Sequence, residues 1–302
     1  MKDKTCGLHA VVVTFNPNID VLYSLIKSIS IAVDVVWIID NGSSNPIDSA
    51  QCKIDNSNIH VVAMNNNLGI AKAQNIGIKR AIKSNAKNII FFDQDSQPSL
   101  ELIENLLSTY TDLTVNGGKV ACVGPAFKDP RFYFTYPIIR LNRFGIRDRI
   151  IPIDNGKPIP ASFIISSGSL VPVDVIEDVG YFREDFFIDY VDTEWCMRAQ
   201  SKGYEIYVSP SAVMFHSIGD DNIKFIFWKL PVHSAFRRYY RMRNMFYLFK
   251  LPYVPLVMKL REFITNNVHQ LLIVLVSKNK MEYMSVWWRS LCDGFRIMVG
   301  KI

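Results

Sequence analysis

Cysteine is scarce in these 302 residues: Cys6, Cys52, Cys122, Cys196 and Cys292 are odd in number and form no CxxC pair. A chain of this length buries enough core to fold without disulfide or metal staples, and the cysteines read as free thiols in a reducing compartment. Long apolar runs are missing as well. The most apolar late stretch, Leu251–Val276, is broken by Lys259, Arg261, Glu262 and His269, short of the roughly 20 apolar residues a spanning helix needs. Met1–Gly7 is polar and lacks the apolar core of a signal peptide. There is no internal repeat, no long linker and no Q-x-x-R-W segment. With hydrophobic residues at 49% and charged residues at 21%, disorder is excluded.

The net charge of +6 is unevenly spread. Asn222–Ile302 holds fourteen Lys and Arg against three Asp and Glu, while residues 1–221 hold twenty against twenty-five. A basic tail on an acidic body suits a polyanionic partner, either nucleic acid or an anionic membrane surface.

The first third alternates strands and helices. His9–Thr14, Val33–Asp40, Ile59–Met64 and Lys87–Phe92 are apolar runs of strand character; Val21–Ser30, Ile70–Ser84 and Leu100–Tyr110 carry helical periodicity. Continuous apolar strands interleaved with helices predict a mainly parallel α/β sheet covered on both faces. Further on, Val120–Val123 and Ala161–Val171 read as strands around a loop, Phe127–Pro160. Asp192–Lys202 reads as a helix, and Tyr204–Val208 and Ala212–Phe215 as short strands.

Ligands of an open parallel sheet bind beyond the carboxyl ends of its strands. Polar groups gather there: Thr14 and Asn16, Asp40 and Asn41, then Asp93, Gln94 and Asp95. Asp93 and Asp95, at i and i+2 after a buried strand, leave the chain on one side and suit a shared divalent cation. Acids also end strands simply because they make turns. Asp189, Asp192 and Glu194 crowd the start of a helix, where Asp192 reads either as an N-cap or as a general base. His216, after a strand, reads as a packed histidine or a metal ligand.

The ordered series Val13-Thr14-Phe15-Asn16, Ile39-Asp40-Asn41-Gly42-Ser43, Asn67-Leu68-Gly69, Asn75-Ile76-Gly77, Asp93-Gln94-Asp95, Asp189–Trp195 and His216 resembles the family 2 glycosyltransferases of GT-A fold, most closely their bacterial rhamnosyltransferase branch. The resemblance covers about residues 8–250. It implies a Rossmann-like mixed, mainly parallel sheet and a donor site of Thr14, Asn16, Asp40, Asn41, Asn67, Gly69, Asp93 and Gln94. It implies a Mg²⁺ or Mn²⁺ ion on Asp95, Asp93 and His216, and Asp192 as catalytic base. Asp189, Tyr190, Glu194 and Trp195 fall at the acceptor side. Gln74 stands where many relatives carry an arginine.

On this reading residues 1–221 form the catalytic domain, about 1–100 serving the nucleotide sugar and 101–221 the acceptor. Residues 222–302 form a helical, basic tail. There Arg237, Arg238, Arg241 and Arg243 interleave with aromatics, and are expected to meet an anionic lipid or a diphosphate. Trp287-Trp288-Arg289 suits an interfacial anchor. The implied reaction moves L-rhamnose from dTDP-L-rhamnose to a lipid-linked polysaccharide intermediate, with inversion, at the cytoplasmic face of the membrane. UDP-galactofuranose is the alternative donor. A non-catalytic nucleotide-sugar sensor, or an adaptor binding nucleic acid through the tail, is the alternative of another class; with the enzyme reading no nucleic-acid partner is expected.

Overall fold

The computed structural model describes residues 7–47, 58–129, 134–154, 156–215, 221–225 and 228–300, with backbone alone for 221–225 and 228–232. The apolar runs of the first third become β1 (Leu8–Thr14), β2 (Val35–Asp40), β3 (Ile59–Ala63) and β4 (Asn88–Asp93). All four are parallel, with β1 flanked by β2 and β4 and β3 outside β2. The chain thus builds outward from β1 to β3, then returns to lay β4 on the other side of β1. That reversal opens a crevice at the carboxyl ends of β1 and β4, where the expected site residues lie.

Alternate residues of these strands feed two cores. Val11, Ile39 and Phe91 pack with α2 (Ile70–Lys83). Ala10, Val12, Ile38 and Ile90 pack with α1 (Ile19–Ile29) and α3 (Leu102–Val115) on the opposite face. Asn18 caps α1 by accepting from the amides of Asp20 and Val21. Gly77 lets α2 lie close on the sheet: a Cβ there would stand 2.3 Å from Val11 Cγ1.

Beyond β5 (Gln97–Pro98) and α3, the strands β6 (Val120–Asp129) and β7 (Phe134–Thr135) and the hairpin β8 (Ile138–Leu141)–β9 (Arg147–Ile150) lead to β10 (Ile159–Pro160) and β11 (Leu170–Pro172). Next come α4 (Val173–Val179), α5 (Val191–Ser201), β12 (Glu205–Phe215) and the hairpin β13 (Asp221–Phe225)–β14 (Trp228–Val232). The main sheet runs β10-β12-β6-β11-β4-β1-β2-β3, with β5 on β12 and β7 on β6. β11 is antiparallel to both β4 and β6, so the sheet is mixed.

Three expectations change. Ala161–Val171 is not one strand, because Ser166–Ser169 forms a tight turn: the Ser169 amide and hydroxyl both donate to Ser166 O, and Gly168 takes φ +74°. The segment Phe127–Pro160 carries strands, too short and too charged to declare themselves. Tyr204–Val208 and Ala212–Phe215 fuse into β12, whose register against β6 shifts between Ser209 and Val213 to absorb the intervening residues.

The tail is α6 (Ala235–Lys250), α7 (Leu256–Val276) and α8 (Lys280–Met298). It packs as part of the body: Leu248, Leu251, Val254 and Met258 belong to the same buried cluster as Val11 and Phe91. Among the described residues no helix is long and apolar enough to cross a membrane.

Candidate active site

The loops at the strand ends are knit together by their own polar side chains. The Asn16 amide donates to Ser43 Oγ, and Asn16 Oδ1 accepts from the Ser44 amide at 2.9 Å. Gln94 Oε1 accepts from the Phe15 amide at 2.7 Å, joining the ends of β1 and β4. Asn41 Nδ2 donates to Asn67 Oδ1, while Asn41 Oδ1 and Asn67 Oδ1 accept from the amides of Leu68 and Gly69. Thr14 departs from expectation. It is 1% exposed and its hydroxyl turns into the sheet towards Ile39 O, so its side chain is scaffold. Asp40 is equally buried, and its carboxylate closes the loop after β2 by accepting from Ser43 and from the Ile47 amide.

Gly69 adopts φ +87°, and a Cβ there would lie 2.7 Å from Phe187. This close approach lets the amides of Ile70 and Ala71 bond Phe187 O. The first turn of α2 is thereby docked on the loop leading into α5. Gln74 follows on α2; its Nε2 donates to Ser166 Oγ at 2.9 Å, while its buried Oε1 meets no partner among the described residues.

Asp93 ends β4, its amide donating to the hydroxyls of Ser96 and Ser167. Its carboxylate meets no hydrogen-bond partner among the described residues. Burial, then the charges of Asp95 and Asp192, push it up to about 6, with the Arg237 guanidinium acting the other way. Asp95 is exposed. Asp192 lies in the first turn of α5 and is not its N-cap, a position Tyr190 occupies. The Asp192 carboxylate accepts from the Thr193 amide at 2.7 Å and is approached by the Ser166 amide. Burial raises its pKa, and the charge of Asp189 adds to the rise. Asp93 therefore feels the charge of a neighbour in its own loop and that of a carboxylate from a distant segment. Asp93 and Asp95 are oxygen donors with excess negative charge, which fits a hard divalent cation completing its shell with diphosphate oxygens and water. Among the described residues no cluster of three ligating side chains forms. His216 lies outside the described residues.

The acceptor-side residues divide. Asp189 receives Arg237 at 3.3 Å and Arg241 at 3.5 Å. Tyr190 is buried; its hydroxyl donates to Glu262 at 2.7 Å and accepts from Asn266 at 2.8 Å, and burial pushes its pKa up. Glu194 and Trp195 are corrections. Glu194 is wholly buried, doubly bonded by Arg198 and bonded by the Tyr253 hydroxyl. Trp195 packs near Phe182, and its Nε1 donates to Gly180 O. Neither offers a face to a sugar.

The tail arginines do not form one solvated stripe. Arg238 is 0% exposed, bonded to Gln270 and to Asn266 O, and burial lowers its pKa to about 10. Arg243 donates to Asp185 O, Phe186 O and Asn244 Oδ1. Only Arg237 and Arg241 reach the carboxylates. The segment they face, 187–190, is strained: Phe187, Asp189 and Tyr190 all hold φ +63°, costing of order 1 kcal/mol or more each. Residues of α6 and α7 hold it there. Phe187 stacks on Tyr240 at 4.4 Å, and Asn244 Nδ2 points at the carbonyls of Phe186, Ile188 and Asp189. Asn244, Tyr240, Glu262 and Asn266 escape a motif-based reading. Their one signal is polar residues on the buried faces of otherwise amphipathic helices.

A model described as glycosyl transferase family 2 matches residues 10–180. The dTDP-rhamnosyl transferase RfbF of Shigella flexneri is 39% identical over 294 residues, spanning 97% of both chains. The low-salt glycan biosynthesis hexosyltransferase Agl10 of Haloferax volcanii is 23% identical, spanning 81% of this chain and 78% of its own. Among solved structures, S. aureus TarS 1–349 superposes with a TM-score of 0.58 at 16% identity, over 96% of this chain and 80% of that one. GalNAc-T7, crystallised with UDP, GalNAc and Mn²⁺, gives 0.57 at 13% identity over 86% of this chain, which spans 54% of that protein's length. At these identities the structural likeness establishes the fold.

Because Asp93 titrates near 6 in the folded protein and near 4 when unfolded, the fold holds that proton more tightly than the unfolded chain does. The stability it contributes is full at acid pH and is lost as pH rises through 6. In EDTA, Asp93→Asn should therefore be more stable than wild type at pH 7.5 in urea titrations, with the gap narrowing by pH 5. A gap independent of pH would contradict the charge crowding.

Proposed function

The chain belongs to glycosyl transferase family 2, and from that we propose an inverting rhamnosyltransferase, taking L-rhamnose from dTDP-L-rhamnose to a lipid-linked oligosaccharide. The observation that carries the donor is the 39% identity to a dTDP-rhamnosyl transferase, sustained over 97% of both chains. The chemistry is supported by the convergence of Asp93, Asp95 and Asp192 at the carboxyl end of β4.

Asp192 is the base. Its carboxylate, deprotonated, takes the proton of the acceptor hydroxyl as that oxygen attacks the anomeric carbon. The departing diphosphate lies on the other face, so one displacement inverts the centre and no protein nucleophile is required. Asp93 and Asp95 would hold a Mg²⁺ or Mn²⁺ ion, which when bound supplies positive charge to the leaving group. Arg237 and Arg241 supply fixed positive charge from α6, and Asp189 keeps them aimed inward when no anion is present. The loops of Asn16, Asn41, Asn67, Gly69 and Gln94 form the floor under the nucleotide, with Thr14 and Asp40 behind them. Asp189 and Tyr190 shape the acceptor side from the strained loop.

The lipid-linked acceptor calls for a membrane surface, and α7 and α8 supply a face for one. Leu260, Ile264, Val268, Leu271 and Leu275 line the side of α7 opposite its buried residues, Ile264 being 59% exposed. On α8, Met281, Met284, Trp288 and Phe295 do the same, Trp288 at 70%. Lys278, Lys280, Arg289 and Arg296 are exposed around them, against the single exposed acid Glu282. An apolar stripe rimmed by cations suits an anionic bilayer, whereas a second copy would bring like charges together. This replaces the α6 arginines as the membrane contact.

Three measurements test the reading. Calorimetry with dTDP, UDP, GDP and CDP, with Mn²⁺ and again in EDTA, should show metal-dependent preference for dTDP; preference for UDP would overturn the donor. Asp192→Asn should lower sugar transfer about 10²–10⁴-fold while dTDP affinity persists, and undiminished transfer would remove Asp192 from the role of base. The protein should float with phosphatidylglycerol vesicles, less so in high salt or as Ile264→Glu or Trp288→Glu. Equal flotation of the variants would exclude this face.

A further inference from the structure

We infer that Asn244 is a positioning residue for the base: its side-chain amide holds the strained loop 186–190 in the shape that delivers Asp192, so α6 completes the active site. The inference rests on the assignment of Asp192 as base and deepens it. Asn244 is 0% exposed and lies mid-helix on α6. The two N–H groups of its Nδ2 are shared among Phe186 O at 2.7 Å, Ile188 O at 2.8 Å and Asp189 O at 3.1 Å. The opposite end, Oδ1, accepts from Arg243 Nε at 3.0 Å and from its NH2 at 2.7 Å. Carbonyls on one side and a guanidinium on the other fix which way the amide points. No isosteric side chain reproduces the set: aspartate cannot donate, and leucine would take this donor from the Ile188 and Asp189 carbonyls and leave Phe186 O to the Arg243 guanidinium at 3.3 Å.

The contact falls on a loop that does not hold its own shape. Phe187, Asp189 and Tyr190 are all left-handed and none is glycine, so surrounding structure must impose the conformation. Asn244 spans that stretch. On one side of it, Phe187 O is bonded by the first amides of α2. On the other, Tyr190 begins α5, whose first turn carries Asp192. Tyr190 gives a second tether, at one point where Asn244 has three, through its hydroxyl on Glu262 and Asn266 of α7. The donor-side loops of Asn16, Asn41 and Asn67 share no hydrogen bond with Asn244. Loss of its amide therefore acts first on the residues leading into Asp192, because the donor-side loops meet this segment at Phe187 O, the one carbonyl of the stretch 186–189 that Asn244 does not bond.

The test is a kinetic comparison of Asn244→Ala and Tyr190→Phe, alone and combined with Asp192→Asn, on the full chain, with active sites counted by calorimetric titration of dTDP. Misplacement of a reacting group by about 1 Å costs on the order of a hundredfold. Asn244→Ala should accordingly lower kcat per titrated site by about ten- to a hundredfold, with donor KM and dTDP affinity changed less than about threefold. Tyr190→Phe should follow with a smaller fall, and supplies the answer if Asn244→Ala does not fold. In the Asp192→Asn background neither change should slow the residual reaction further, because they act through the base. Wild-type kcat in both loop variants alongside an inactive Asp192→Asn overturns the positioning role alone. So does a kcat loss of equal size in both backgrounds, the mark of a merely structural defect. If Asp192→Asn itself transfers at the wild-type rate, the base assignment fails and takes this inference with it.

Discussion

Carboxylates repel, and Asp93 stands where loss of water and the charges of Asp95 and Asp192 all favour its proton over its charge. Much of the molecule serves to keep this arrangement from relaxing. Asp93 is fixed through its amide by Ser96 and Ser167, hydroxyls that also bond each other at 2.7 Å. Asp192 is fixed by a helix start whose entry loop is left-handed at three residues. Excess negative charge is held at one place, while the Arg237 and Arg241 guanidiniums of α6 pair with Asp189. Folding stability is given up there, and recovered in the two cores packed on either face of the sheet.

The C-terminal helices change meaning once they are placed. Read alone, their arginines describe a basic surface. In the fold, Arg238 is buried against α7, Arg243 braces the carbonyls of Asp185 and Phe186, and Arg237 and Arg241 turn to Asp189. The surface function passes to the apolar outer sides of α7 and α8. Two faces of one helical layer thus do different work: the inner one holds the loop before Asp192, and the outer one, on our reading, lies on the bilayer.

Much of the parallel core was legible before the structure, because buried parallel strands are apolar without interruption and their ends collect polar residues. The mixed character added by β11 was legible only through the family resemblance. Its three residues pair with β4 and β6 across long sequence separations, and the Ser166–Ser169 turn before it leaves no periodicity to read. Glu194 and Trp195 mark the opposite failure. Their place beside Asp192 suggested a shared role, but successive residues of a helix point in different directions. Asp192 faces the crevice, while Glu194 turns to Arg198 and Tyr253. Thr14 is similar: it ends the right strand, yet its hydroxyl faces inward.

The sequence by itself determined the α/β architecture, the order of the strand-end acids and the membership of a glycosyltransferase family, since each is written in local pattern and spacing. The tertiary structure alone decided which charges fall on Asp93, which arginines answer Asp189, and that Asn244 grips the loop before Asp192. Those facts depend on distances between side chains fifty to a hundred residues apart. Local chemistry carries no record of such distances until the chain is packed.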